Sequence, residues 1–181
     1  MTSVLLFIVH LIFQLYLLAV FLRFLLQLVK ANFYNPICQF IVKITNPLLI
    51  PLRRIVPGWY GIDFASLVLL YLLQVIEIII LFALSYGGFS PLVFLAAVFE
   101  ILRLLIDIYF YLIILRAVAS WFQPDPRQPL YNLILLLTEP LLSRLRKIIP
   151  VTGMIDWSSL AALVILMVLR AILPSLLISW V

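Results

Sequence analysis

The chain has 181 residues, of which 67% are hydrophobic and only 10% charged, against ~25% charged in ordinary soluble domains. A soluble fold of this length could not bury so much apolar side chain, so lipid is the expected solvent and one compact helical bundle the expected architecture. The net charge of +5 does not imply a nucleic-acid partner, because the basic residues sit beside the apolar stretches, where membrane topology and anionic lipid place them.

The first predicted span is Val4–Val29, interrupted only by His10, Gln14, Arg23 and Gln27. Met1-Thr2-Ser3 lacks a basic region, and the apolar run is too long for a cleaved signal peptide, so the span is expected to be retained. A long connection, Lys30–Ile62, follows. Within it Pro47–Val56 reads as a short amphipathic helix, with Thr45 or Asn46 as cap and Pro47 in the first turn. Leu48, Leu49, Leu52, Ile55 and Val56 form its apolar face. Arg53 and Arg54 stand at its C-terminal end and Pro57 stops it. The second span, about Asp63–Ser85, contains Glu77. A tight hairpin at 86–90 leads into the third span, Pro91–Ala119, which carries Glu100, Arg103, Asp107 and Arg116; Ser90 can cap it. The second long connection, Ser120–Ile155, repeats the short-helix pattern at Pro140–Ile149 with Arg144, Arg146 and Lys147, ended by Pro150. The fourth span is Asp156–Trp180, with Arg170 inside it. Each span exceeds the ~20 residues a helix needs to cross ~30 Å of hydrocarbon, and no segment sustains the two-residue alternation of a strand.

Lysine and arginine concentrate in the two long connections, so the positive-inside rule places both in the cytoplasm and both termini outside a cytoplasmic membrane. The chain is also internally repeated. A shift of 93 residues superimposes Arg23 on Arg116, Pro36 on Pro129, Thr45 on Thr138, Pro47 on Pro140, Arg53 on Arg146, Pro57 on Pro150 and Asp63 on Asp156, without a gap. The expected fold is therefore all-α: a single membrane domain, 1–181, of four transmembrane helices in two parallel helix–loop–helix repeats, 1–88 and 89–181. Each loop carries a short interfacial helix lying on the bilayer.

The doubled motif NPLLIPLRRIVPGWYGID and EPLLSRLRKIIPVTGMID, with FYNP ahead of the first copy, resembles the YggT family (YlmG in Gram-positive bacteria) over essentially the whole chain. The second copy departs in having Ser143-Arg144 where the first has Ile50-Pro51. The resemblance implies a bacterial inner-membrane or chloroplast membrane protein. It also implies links to osmotic or ion homeostasis, to nucleoid and division phenotypes, and in plastids to haem attachment in cytochrome b6 assembly.

Two sets of residues are candidates for function. At the interface, the basic faces of the two short helices are expected to anchor the chain or to meet anionic lipid headgroups or a membrane protein partner. Asp63 and Asp156 either cap the following spans, each with a serine three residues on (Ser66, Ser159), or pair with Arg53 and Arg146. Within the apolar helices, Glu77 and Arg170 occupy equivalent repeat positions and are expected to pair across a pseudo-twofold axis. Glu100, Arg103 and Asp107 share one helix face. With His10 they form either a satisfied polar seam between the first and third spans or a proton or cation relay. Arg23 and Arg116 are expected to snorkel to phosphates. One Cys (Cys38) and one His cannot build the usual zinc site, and a lone His on an apolar helix is more often a packing residue than a haem ligand. No phosphate loop or nucleophile motif is present in the sequence. The expected function is a non-enzymatic accessory or scaffold protein without cofactor, acting through membrane partners and able to form homo-oligomers. The rivals are a small ion transporter or channel and a haem-handling assembly factor.

Overall fold

The computed structural model describes residues 2–58, 61–86, 90–148 and 157–178. They form six helices: α1 (Thr2–Leu28), α2 (Pro36–Ile55), α3 (Phe64–Tyr86), α4 (Val93–Trp121), α5 (Pro129–Arg146) and α6 (Trp157–Ile178). No β-strand occurs among the described residues.

Two helices, α1 through Val4–Leu28 and α3 through Phe64–Ser85, are long and apolar enough to cross a membrane. Only 17% and 28% of these stretches are buried within the structure, so most of their apolar surface faces outward. Val4, Phe7, Ile12 and Leu15 of α1 are each at least 60% exposed. A water-soluble core helix would bury such a face. The apolar stretch of α6, Trp157–Leu173, is shorter, and α4 carries Glu100, Arg103, Asp107 and Arg116 along its length.

Helices α1 and α4 end alike. Among the described residues, Lys30 and Gln123, 93 residues apart, are the non-glycine residues with positive φ, at 52° and 44°. After α1, the Lys30 N–H donates to Gln27 O (3.0 Å) and the Ala31 N–H to Leu26 O (2.9 Å), a Schellman closure around a left-handed residue. After α4, Pro124 occupies the position of Ala31 and has no N–H to give. That chain closes instead through the Phe122 and Gln123 N–H groups onto Ala119 and Ser120.

The short helices expected at Pro47–Val56 and Pro140–Ile149 are longer than anticipated. They begin eleven residues earlier, at Pro36 and Pro129, each proline in the first turn. Pro47, Pro51 and Pro140 therefore lie inside the helices, and Thr45 and Asn46 are interior residues, not caps. An internal proline removes one backbone bond. Just ahead of Pro47, the carbonyls of Ile41 and Val42 take additional donors, from the Thr45 hydroxyl (2.7 Å) and Arg23 (3.3 Å). The buried stripe of α2 is Cys38, Ile41, Thr45 and Leu49, while Leu48 and Ile55 of the expected apolar face are exposed. Helix α4 starts at Val93, two residues after Pro91, and Ser90 Oγ accepts the Leu92 N–H at 3.4 Å.

The chain forms two compact units, Met1–Tyr34 with Cys38–Leu102, and Asn35–Ile37 with Arg103–Val181. In the first, α1 packs along α3, and Val75, Val93 and Ala97 make a small core with Tyr71, Ile78 and Ile79. In the second, α5 packs on α6, around Ile113, Leu142, Ala162 and Leu166.

Candidate functional site

Each unit contains an arginine node joining a long helix to the proline-bearing helix after it. In the first, Arg23 of α1 is 5% exposed. Its Nη1 donates to Thr45 Oγ1 (2.6 Å), Asn46 Oδ1 (2.8 Å) and Val42 O (3.3 Å). In the second, Arg116 of α4 donates from Nη1 to Thr138 Oγ1 (2.8 Å) and from Nη2 to Glu139 Oε2 (2.8 Å). Each threonine hydroxyl passes its own hydrogen to the carbonyl four residues back, Ile41 or Ile134, at 2.7 Å in both. The threonine suits this place because its hydroxyl accepts from a guanidinium and donates to backbone at once. Arg23 is turned toward α2, where neutral oxygens of Val42, Thr45 and Asn46 accept from it.

The motif arginines differ between units. Arg53 Nη2 donates to Asp63 Oδ2 and lies 3.5 Å from Gln27 Oε1. Asp63, 3% exposed, also takes the Ser66 hydroxyl (2.6 Å) and the Ser66 N–H (3.4 Å), so it caps α3 and holds Arg53 together. Gly61, at φ +80°, makes the turn that delivers it. Burial alone would raise the Asp63 carboxyl, but the hydrogen bonds from Arg53 and Ser66 and the Arg53 charge carry it below the ordinary carboxylate value. In the second unit Arg146 Nη1 donates to Glu139 Oε1 at 3.0 Å, so one carboxylate bridges Arg116 and Arg146. Pro150 and Asp156 lie outside the described residues. Pro57, Arg54, Arg144 and Lys147 follow or close the two helices, as basic and terminating residues of the motif.

The mid-helix charges are engaged inside each unit. Glu77, 1% exposed, lies with Oε1 2.7 Å from His10 Nδ1 and 3.5 Å from Gln14 Nε2, and its Oε2 accepts from Gln74 Nε2 at 2.9 Å. Arg170 Nε lies 3.0 Å from Asp107 Oδ1. Glu77 and Arg170 thus each have partners inside their own unit. The cause is packing: α1 runs along α3 and brings His10 and Gln14 to Glu77. Gln14 and Asp107 are 93 residues apart, as are Glu77 and Arg170. The carboxylate therefore sits on α3 in one unit and on α4 in the other. His10 meets Glu77, and Glu100 and Arg103 on α4 are both engaged.

The first arginine node borders a cavity of about 340 Å³ lined by Arg23, Gln27, Phe33, Gln39, Val42 and Arg53. Of these lining residues, Gln27, Phe33 and Gln39 carried no expectation of function, and Gln14 and Gln74 were likewise not anticipated around Glu77. The aligned Arg23/Arg116 and Thr45/Thr138 positions were the available signal for the nodes. Among the described residues no group of three His, Cys, Asp or Glu side chains could hold a metal ion.

A family profile described as CCB3/YggT matches residues 2–84 and again 95–177. An uncharacterised protein of Pseudomonas aeruginosa is 42% identical over 152 residues, covering 82% of this chain and 77% of that protein. The uncharacterised protein YggT of Escherichia coli K12 is 33% identical over 164 residues, covering 91% and 86%. A Vibrio alginolyticus protein is 36% identical over 157 residues, covering 85% and 84%. No solved structure matches. With the profile falling on both halves and the relatives spanning nearly the full length, this chain belongs to the CCB3/YggT family.

Proposed function

We propose that the chain is a multi-pass inner-membrane protein that works as a non-enzymatic accessory or scaffold for membrane partners, in osmotic or membrane-complex homeostasis. In this reading α1, α3, α4 and α6 cross the bilayer as two parallel copies of one helix–loop–helix unit. Helices α2 and α5 lie at the cytoplasmic face with their arginines, and both termini are outside.

One observation carries the reading against a transport role: the mid-helix carboxylates are closed by their own neighbours. His10, Gln14 and Gln74 surround Glu77, and Arg170 meets Asp107. An ion path needs such groups facing a hydrated lumen, and the cavity beside Arg23 is lined by neither. Paired polar groups in apolar helices specify which helices pack together, the property a scaffold needs.

The test is affinity purification of the full chain from native membrane, paired with ion flux in proteoliposomes. A specific co-purifying membrane protein with flux no greater than empty vesicles supports the scaffold. Flux abolished by Glu77→Gln would overturn it in favour of a transporter.

A further inference from the structure

The two arginine nodes differ at one position that bears directly on ligand binding. In the second unit, Glu139 bridges Arg116 and Arg146 with its two carboxylate oxygens, at 2.8 and 3.0 Å. Ninety-three residues earlier, the position of Glu139 is held by Asn46, which is neutral. There Arg23 and Arg53 lack a shared carboxylate and instead line the 340 Å³ cavity with Gln27, Gln39, Phe33 and Val42. Arg23 uses Nη1 for its internal bonds and Arg53 uses Nη2. The other guanidinium nitrogens of both make no hydrogen bond or ion pair among the described residues. Two guanidiniums thus line one cavity with a single carboxylate beside them, Asp63, which is ion-paired to Arg53, and this leaves one positive charge in excess.

We propose that this cavity is a binding site for the phosphodiester of an anionic phospholipid, whose single negative charge takes the place that the Glu139 carboxylate fills in the other copy. Guanidinium forks suit phosphate oxygens. The amides of Gln27 and Gln39 offer donors and acceptors for headgroup hydroxyls. The depth favours a lipid over a dissolved anion. Arg23 and Gln27 stand in the last turns of the apolar stretch Val4–Leu28, and the apolar Phe33 and Val42 line the same cavity, where a glycerol backbone and the start of an acyl chain would lie. The inference rests on the membrane reading above.

The full chain, purified in detergent, is examined by native mass spectrometry after exchange into mixed micelles of phosphatidylglycerol, phosphatidylethanolamine and phosphatidylcholine. One phosphatidylglycerol is expected to stay bound per chain, preferred by about tenfold, the discrimination of one charge-assisted contact. Asn46→Glu supplies an internal carboxylate and is expected to remove that lipid. Glu139→Asn opens the second node and is expected to raise the number to two, a gain that misfolding cannot produce. Retention unchanged by Asn46→Glu, or a stoichiometry still at one in Glu139→Asn, would overturn the proposal. So would displacement of the lipid by millimolar inorganic phosphate or glycerol 3-phosphate, which would mark a site for free anions. A chain that stays in solution without detergent would sink the membrane reading itself, whereas a detergent-dependent chain with no preferred lipid sinks only this inference.

Discussion

The two units keep one polar device and reverse another. Arginine on the long helix, threonine on the proline-bearing helix and a carbonyl four residues behind it recur at nearly the same distances in both. The mid-helix pair recurs in place but not in sign: carboxylate on α3 with His10 and Gln14 opposite, then carboxylate on α4 with Arg170 opposite. An arginine–threonine–carbonyl chain has no equivalent with the polarity exchanged, because a carbonyl only accepts and a guanidinium only donates. A carboxylate and its partner do have one, since the acceptor can stand on either helix and still meet a donor opposite. Strict chemistry was kept where direction matters, and only complementarity where it does not.

The comparison is broken most severely by removing one member of the more enclosed pair. Glu77→Ala removes the buried acceptor shared by His10, Gln14 and Gln74, and a loss of about 3 kcal/mol, about 1 for each bond, is expected. Asp107→Ala should be milder, because Asp107 is 23% exposed where Glu77 is 1% exposed, and the long stem of Arg170 lets its charge move away. Thermal loss of helical circular dichroism in detergent orders the two variants. Equal losses would show that partner number does not govern these pairs. The double variant Asp107→Asn with Arg170→Gln should recover most of the single-variant loss.

The shared device gives a sharper, smaller effect. Thr45→Val and Thr138→Val keep shape but remove an acceptor for arginine and a donor to backbone, each expected to cost about 1–3 kcal/mol. If the nodes are equivalent, the two losses agree, and the double variant is their sum to within about 0.5 kcal/mol. A large loss at Thr45 with none at Thr138 would end the equivalence.

The Asp63–Arg53 pair adds a pH signature. Because the folded carboxyl lies below its unfolded value, its stabilisation is complete above the unfolded pKa of about 3.9 and is lost as pH falls through the folded value. Asp63→Asn should therefore be less stable than the parent at neutral pH, and the gap should close under acid. A gap independent of pH would mean the carboxylate charge contributes nothing.

The register of 93 residues made the nodes visible as aligned positions, since Arg23, Thr45 and Pro47 each have a counterpart. Their geometry was not visible. Proline ahead of an apolar run is a helix-start signal, and it misplaced the start of α2 because Pro36 carries the same signal eleven residues earlier. Glu77 and Arg170 suggested a pair by symmetry, but the neighbours each has inside its own unit follow from which helices pack along each other, and hydrophobic periodicity is silent on that when a helix is apolar all round. Gln14, which interrupts the first span, and Gln74 carry no expected role, because a neutral amide has no charge to be balanced. The contrast of Asn46 with Glu139 was present in the aligned copies, but it acquires meaning only once Arg23 and Arg53 are seen to share a cavity.

The smallest effect tests whether Arg23 holds α2 in place. Cys38 lies on the buried stripe of α2 with Ile41, Thr45 and Leu49, fully covered, and burial pushes its thiol above the ordinary value. A covered thiol that is mostly protonated reacts slowly. In the parent chain, maleimide labelling of Cys38 at neutral pH is expected to be slow. Arg23→Ala removes the three bonds to Thr45, Asn46 and Val42, so the α1–α2 contact loosens and labelling should accelerate. Arg116→Ala, which opens the second node, should leave the Cys38 rate unchanged, because Cys38 belongs to the first unit. Acceleration by Arg116→Ala as large as by Arg23→Ala would mean that the two nodes open together, and the first unit's polar contacts would then not be what keeps α2 closed.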